Sequence, residues 1–416
     1  MRKSMFLTGL LFVFILLACG CTTEKTPSRE APLTPIPTKG QNEVDPTREP
    51  YVPNLEPTEL DMVQNNVKTI GRTFYDGQVR WCTYSGSGIE FFFAGRECTI
   101  HLVSDDQYDD PVHAARVAVY VDGERTQDFL MDEPEKDVTI IRREDDTIAY
   151  IRVIKISEVS DSVLGIGKAT VVGMVSPLTD LPLKIEFIGD SITCGYGVDG
   201  RFEVDTYKTA NEDCTKAYAY LAAERLNADY SLVSMSGYGI VSGYTATGEK
   251  LGDKIIPQYY ETLGNSYATF GDGFRCDRLP WDFTQFTPDI VVINLGTNDS
   301  SYCKDEAKCR EYIDGYKDFL VTVRKRNPEA KIICTLGIMG TELCESMETA
   351  VAEFKMETGD ESIWTMRFEE QNQERDGVVV DWHPSAATHL RAAVKLSRFI
   401  TDLLNQEAVD RENTTE

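Results

Sequence analysis

Histidine is scarce in this sequence: the 416 residues hold four, His101, His113, His383 and His389. No Cys-x-x-Cys pair or mixed Cys/His cluster accompanies them, so no ligand set for a metal centre is legible and no cofactor is expected. Positive charge is also short. Lys and Arg number 42 against 68 Asp and Glu, a formal net charge of −26. A surface of that sign repels phosphate backbones and anionic head groups, which excludes nucleic acid and acidic lipid surfaces as partners. No internal repeat is found. Nor is there an apolar run of the ~20 residues needed to cross a bilayer as a helix.

What is present begins with a leader. Arg2 and Lys3 precede the apolar run Met5 to Ala18, the pattern of a secretion signal. Leu16-Leu17-Ala18-Cys19-Gly20 resembles a bacterial lipobox, which makes Cys19 the expected lipid anchor, with Cys21 as the alternative. The only membrane contact would then run through that lipid, placing the mature protein outside the cytoplasm on the cell surface. Nine of the 11 cysteines lie beyond the leader; Cys303 and Cys309 are spaced to close a short loop, and an odd number leaves one thiol unpaired.

At this length two domains with appendages are expected. Residues 1–21 read as leader and lipobox. Residues 22–66 are rich in Pro, Thr and Glu and form an extended tether. Between 67 and 176, short β-branched and aromatic runs (Ile89 to Phe93, Cys98 to Val103, Arg116 to Val121, Val138 to Ile141, Ile148 to Ile156, Ala169 to Val172) are separated by Asp-Gly and Gly-Ser-Gly turns, predicting an all-β sandwich. From 182 to 406 the fold class changes to α/β. Apolar strands at Leu183 to Ile188, Tyr230 to Met235, Ile290 to Leu295 and Lys331 to Leu336 alternate with helical segments at Lys216 to Leu226, Arg310 to Arg326, Glu348 to Glu357 and Ala386 to Asn405, predicting a parallel sheet covered on both faces. Residues 407–416 form a polar, frayed tail.

Ligands of open parallel sheets gather at the strands' C-terminal edge. Three of these strands run into polar motifs there: Gly189-Asp190-Ser191-Ile192-Thr193, Ser236-Gly237-Tyr238-Gly239 and Gly296-Thr297-Asn298-Asp299. Asp381-Trp382-His383-Pro384-Ser385 precedes the last helix. Ester hydrolysis by serine needs a hydroxyl, a base and donors facing the developing oxyanion. Ser191 supplies the hydroxyl and His383 the base; the N–H groups of Ser191 and Gly237 and the amide of Asn298 supply the donors. Glycine at 237 would let substrate approach the backbone closely. Asp190 and Asp299 read as acceptors that fix their loops, and His101, His113 and His389 as packing or solvent-facing residues.

Ser191, Gly237, Asn298 and His383, in that order, resemble the four signature residues of SGNH/GDSL hydrolases. The front region narrows the likeness. Gly71-Arg72-Thr73, Gly88-Ile89-Glu90-Phe91, Val121-Asp122-Gly123 and Lys155-Ile156-Ser157-Glu158, with Gly189 to Gly197, resemble carbohydrate esterase family 2. The resemblance implies a jelly-roll domain ahead of a flavodoxin-like three-layer α/β/α domain. It also implies removal of O-acetyl groups from plant cell-wall polysaccharides or oligosaccharides by way of an acetyl-enzyme. A lipase or thioesterase of the same class, and an inert glycan-binding protein, are the alternatives. Sugar faces stack on rings, so Trp382, Tyr196, Tyr238 and Trp281 are candidate substrate contacts. One departure stands out: the aspartate such enzymes place three residues before the histidine is here Val380, with Asp381 two before. Either Asp381 or a backbone carbonyl, that of Trp382 being the nearest candidate, would orient the imidazole.

Overall fold

The computed structural model describes residues 56–415, with side chains as far as residue 406. The leader, Cys19 and Cys21, and most of the expected tether lie outside the described residues. The front region contains β1 (Thr58–Leu60), β2 (Lys68–Ile70), β3 (Thr73–Tyr75), β4 (Arg80–Cys82), β5 (Gly88–Ser104), β6 (Arg116–Val121), β7 (Glu124–Leu130), β8 (Glu135–Lys155) and β9 (Leu164–Pro177). They form an antiparallel nine-stranded sheet with the path β3-β4-β9-β5-β8-β6-β7, β1 pairing with β9 and β2 with β5. The last residues assigned to the tether thus belong to this domain: Thr58–Leu60 line the edge of β9, and Met62 is wholly buried.

Long strands replace several short ones. β5 spans two expected runs and is paired along its length with β8 on one side and β9 on the other. The β5–β9 register shifts where Gly95 faces Gly173. A Cβ on either would lie 2.2–2.3 Å from a carbonyl of the opposite strand, so only glycine fits this crossing.

The second domain starts with β10 (Leu183–Gly189), followed by α1 (Ser191–Cys194), α2 (Tyr218–Leu226), β11 (Ala228–Ser234), β12 (Ile290–Asn294), α3 (Glu306–Arg326), β13 (Lys331–Leu336), α4 (Cys344–Thr358), β14 (Ile363–Arg367), α5 (Gln373–Asp376) and α6 (Ala386–Thr415). All five strands are parallel, in the order β11-β10-β12-β13-β14. Alternate residues face opposite layers. Ile185, Phe187, Ile290 and Val292 pack with α2 and α6, whereas Ile188, Val291, Ile293 and Ile332 pack with α3 and α4. Helix α3 shows why such segments form: Asp305 caps it by accepting the Lys308 N–H, and Tyr312, Ile313, Tyr316, Phe319, Leu320 and Val323 make one apolar stripe. Helix α6 carries the backbone on to Thr415, through the segment expected to fray.

The domains share their cores. Ile70, Ala118, Ile154 and Ile156 of the sandwich pack in one cluster with Phe187 and Tyr218, and Trp81, Tyr84 and Val159 in another with Tyr238 and Tyr260. All nine described cysteines are free thiols. The loop closure considered for Cys303 and Cys309 is not made: the Cys309 thiol faces the Cys303 carbonyl at 3.8 Å, and that of Cys303 the Lys308 carbonyl at 3.5 Å. No helix among the described residues is long and apolar enough to cross a membrane.

Candidate active site

The sheet order reverses between β10 and β12, which opens the crevice where ligands of such sheets bind. Three candidate residues sit around it. Ser191 opens the four-residue helix α1 after β10, capped by Asp190, whose Oδ1 accepts the Ile192 N–H at 3.0 Å. Gly237 follows β11 and Asn298 follows β12. Gly237 has φ +81, and a Cβ there would meet nothing within 4 Å. The backbone conformation calls for glycine, and the space over its Cα is open. Its carbonyl accepts the Tyr244 N–H at 2.9 Å.

The Asn298 amide donates to the Tyr238 carbonyl at 2.8 Å and makes a longer contact, 3.3 Å, with Asp190 Oδ2. Asp299 is fully buried, and its carboxylate accepts the N–H groups of Ile240, Val241 and Ser242, tying the loop after β11 to the loop after β12. Both aspartates thus hold loops, as read from sequence. Burial pushes Asp190 up to about 7 and Asp299 up to about 6.

His383 arrives from the far end of the chain. Its Nε2 lies 2.8 Å from Ser191 Oγ. Nδ1 faces the Val380 carbonyl at 3.2 Å, and the His383 N–H donates to the same oxygen at 3.0 Å. Two consecutive non-glycine residues with positive φ, Asp381 (50°) and Trp382 (65°), turn the chain back on itself to allow this. The expected candidates for orienting the ring are therefore both displaced. The Asp381 carboxylate accepts from the Tyr196 hydroxyl at 2.9 Å, and the Trp382 carbonyl accepts from Gln371 Nε2 at 2.8 Å. The oxygen that meets the imidazole belongs to Val380. Desolvation lowers His383 from 6.5 to about 4, with the Val380 carbonyl opposing the shift.

The aromatic candidates divide. Trp382 is 54% exposed and meets Phe202 edge-to-face at 4.5 Å. Tyr196 lies over His383 at 4.2 Å between centroids and stacks on Tyr207 at 4.0 Å. Tyr238 is buried, with its hydroxyl held by Asn265, so its part in the site is the carbonyl that Asn298 binds. Trp281 is a correction: it is buried in the core, 5.4 Å from the Arg72 guanidinium, and offers no free ring face to a sugar. Sequence reasoning passed over Tyr244, 61% exposed and joined through its N–H to Gly237. The remaining histidines lie elsewhere. His389 Nδ1 accepts the Tyr218 N–H, His101 pairs with Asp137, and His113 with Asp110. Among the described residues one trio, Glu158, Cys194 and Glu212, brings possible metal-ligand atoms within 4.8 Å of one another. It is wholly internal, and backbone N–H groups already occupy one oxygen of each carboxylate.

A doubly wound sheet with a serine–histidine pair at its switch point defines a class of hydrolases, and the sequence comparisons agree. The chain belongs to the GDSL-like lipase/acylhydrolase family, whose model matches residues 187–394. A second family model, that of the carbohydrate esterase 2 N-terminal domain, matches residues 69–177. The chain is 31% identical over 335 residues to a cellulase/esterase of Acetivibrio thermocellus, covering 78% of this chain but 38% of that much longer relative. It is 24% identical to an acetylxylan esterase/glucomannan deacetylase of Cellvibrio japonicus, covering 82% and 89% of the two. A family two carbohydrate esterase from Clostridium thermocellum, solved in complex with cellohexaose, superposes with a TM-score of 0.69 at 28% identity over 84% of this chain and 99% of that one.

Proposed function

We propose that this protein is a serine esterase that removes O-acetyl groups from plant cell-wall polysaccharides or their oligosaccharides. The observation that carries the reading is the 2.8 Å contact of Ser191 Oγ with His383 Nε2, with Nδ1 turned to a carbonyl. A carbonyl can only accept, so the neutral ring keeps its proton on Nδ1 and leaves Nε2 free to take the serine proton. Ser191 Oγ then attacks the acetyl carbonyl, and the oxyanion lies toward the N–H groups of Ser191 and Gly237 and the Asn298 amide. As the bond between the acetyl carbon and the sugar oxygen breaks, His383 gives its proton to that oxygen, which leaves as the sugar hydroxyl. Water, activated by the same ring, releases acetate and restores Ser191.

The carbohydrate substrate is supported by the likeness to a cellulase/esterase and to an acetylxylan esterase/glucomannan deacetylase, and by the exposed Trp382 beside the base. Trp382, next to His383, and Tyr244, hydrogen-bonded to Gly237, are exposed rings that can offer faces to sugars. Export and anchoring through Cys19 rest on the leader and lipobox alone. Acetate release from acetylated xylan, acetylated glucomannan and monosaccharide acetates, compared with octanoyl esters, tests the substrate class. Acetylated saccharides should be turned over and octanoyl esters strongly disfavoured; the reverse order would make the protein a lipase. Ser191→Ala should lower turnover by about 10⁴ without unfolding the protein. Retained turnover in a folded variant would remove Ser191 as nucleophile.

A further inference from the structure

Lys155, the last residue of β8, has a fully buried ammonium group that donates to the carbonyls of Thr83 (3.0 Å), Ser157 (2.7 Å) and Glu158 (2.7 Å). It thereby pins the backbone segment leading toward β9. On that segment sits Glu158, 2% exposed, whose Oε2 accepts the Ser236 N–H at 2.7 Å. The Glu158 N–H in turn donates to Glu212 Oε2 at 2.8 Å, an oxygen that also receives the Tyr207 hydroxyl at 3.0 Å. Tyr207 lies parallel to Tyr196, the ring that covers His383. Burial, then the nearby Glu158 and Asp161, push Glu212 well above the ordinary glutamate range.

Ser236 immediately precedes Gly237. The peptide that carries the Gly237 N–H is therefore held on one side by Glu158, through the Ser236 N–H, and on the other by Tyr244, through the Gly237 carbonyl. Gly237, with φ +81 and open space around its Cα, has no side chain to hold it in place. The Ser236–Gly237 peptide is the centre of a turn closed by the Tyr238 N–H on the Met235 carbonyl at 3.3 Å, and the two flanking hydrogen bonds fix how that turn is presented. One of them comes from the sandwich domain.

We propose that Glu158 is a positioning residue for the oxyanion site: through this one carboxylate the β-sandwich domain aims the Gly237 N–H and so sets the rate of acyl transfer. The proposal rests on Gly237 acting as an oxyanion donor. An oxyanion donor matters only once charge has developed, so its misplacement shows in kcat and not in KM. Displacements of about 1 Å at such sites cost up to about 10²-fold.

The test compares wild type with Glu158→Gln, which keeps an acceptor of the same size, and Glu158→Leu, which keeps none. Each is assayed for kcat and KM on 4-nitrophenyl acetate and for inhibition by a small alkylboronic acid, which adds to serine as a tetrahedral anion. In folded protein, kcat should fall in the order Glu, Gln, Leu, by about 10-fold or more for Leu, with KM within about 3-fold and boronate affinity weakening in parallel. A folded Leu variant with wild-type kcat, or a fall in kcat with unchanged boronate affinity, overturns the proposal. If the Leu variant does not fold, the Gln variant decides by the same two readings. Ser191→Ala, run alongside, separates the two claims: an inactive Ser191→Ala beside a fully active Glu158 variant removes only the positioning role.

Discussion

For His383 to act as the proposed base the imidazole must be neutral, protonated on Nδ1 and open at Nε2, and the bend of the residues before it suits this. Left-handed backbone at Asp381 and Trp382 costs on the order of 1–3 kcal/mol each where a side chain is present. Aspartate tolerates it; tryptophan does so rarely. What the strain secures is the Val380 carbonyl, which receives both the main-chain N–H and the ring Nδ1 of His383. Asp381 points instead to the Tyr196 hydroxyl. Asp381→Asn should therefore lower kcat by less than about 10-fold, since the carboxylate is hydrogen-bonded to Tyr196 and acts on the ring through its charge, not as the acceptor of the Nδ1 proton. A fall near the ~10⁴ typical when a true orienting aspartate is lost would restore the triad. The lowered value of His383 predicts the acid limb of the same kinetics. A base is competent when unprotonated, so kcat/KM should hold as pH falls through 6.5 and reach half its plateau near pH 4. The limb is read by acetate release; half-activity near 6.5 would mean that burial does not tune the ring. Stability carries the same sign: the depressed group favours the fold above 6.5, and that contribution is lost as pH falls toward about 4.

Among the elements, what the sequence displays is what burial on both sides imposes. β12 and most of β13 are continuous apolar runs because helices cover both their faces, β10 is mainly apolar with Lys184 and Glu186 between its apolar residues, and each is legible to within a residue or so. β7 and β14 are not. Glu124–Leu130 alternates exposed and half-buried residues at a sheet edge, and Ile363–Arg367 lies at the other sheet's edge with a single well-buried flank. The same reasoning splits β5 and β8 in two, since a bulge at Gly95 or an exposed polar stretch such as Arg142–Thr147 reads locally as a turn. The candidate site follows this pattern. Ser191, Gly237 and Asn298 are legible because they end strands that are themselves legible. Val380 is not, because a carbonyl has no side-chain signature. Glu158 lies in a stretch noted only for its family likeness; its contact with Ser236 spans 78 residues and cannot be read locally.

Across the whole molecule the two domains meet through charge buried in an apolar seam. Arg72 joins β2 to β3 in the sandwich, is wholly buried, and donates to the carbonyls of Tyr260 and Thr262 and to Glu186 Oε2 at 3.3 Å. The rings of Tyr84, Tyr260, Trp281 and Phe283 surround its guanidinium at 5.0–5.7 Å. Glu186 stands on β10, the strand that leads into Ser191, so a residue of one domain braces an inner strand of the other. Removing one partner of such a pair leaves the other charge buried and uncompensated, at about 3–5 kcal/mol. Arg72→Met should therefore lower the unfolding free energy by about that amount and move the urea midpoint down accordingly. The transition should stay single, because clusters of side chains from both domains must come apart together. In the fraction that stays folded kcat should be nearly unchanged, since Arg72 touches neither the Ser191–His383 pair nor the loop at Gly237. A loss below about 1 kcal/mol would show that the seam relaxes around the missing cation. Two separated transitions would show that the sandwich and the α/β domain unfold independently, and that the shared clusters do not couple them.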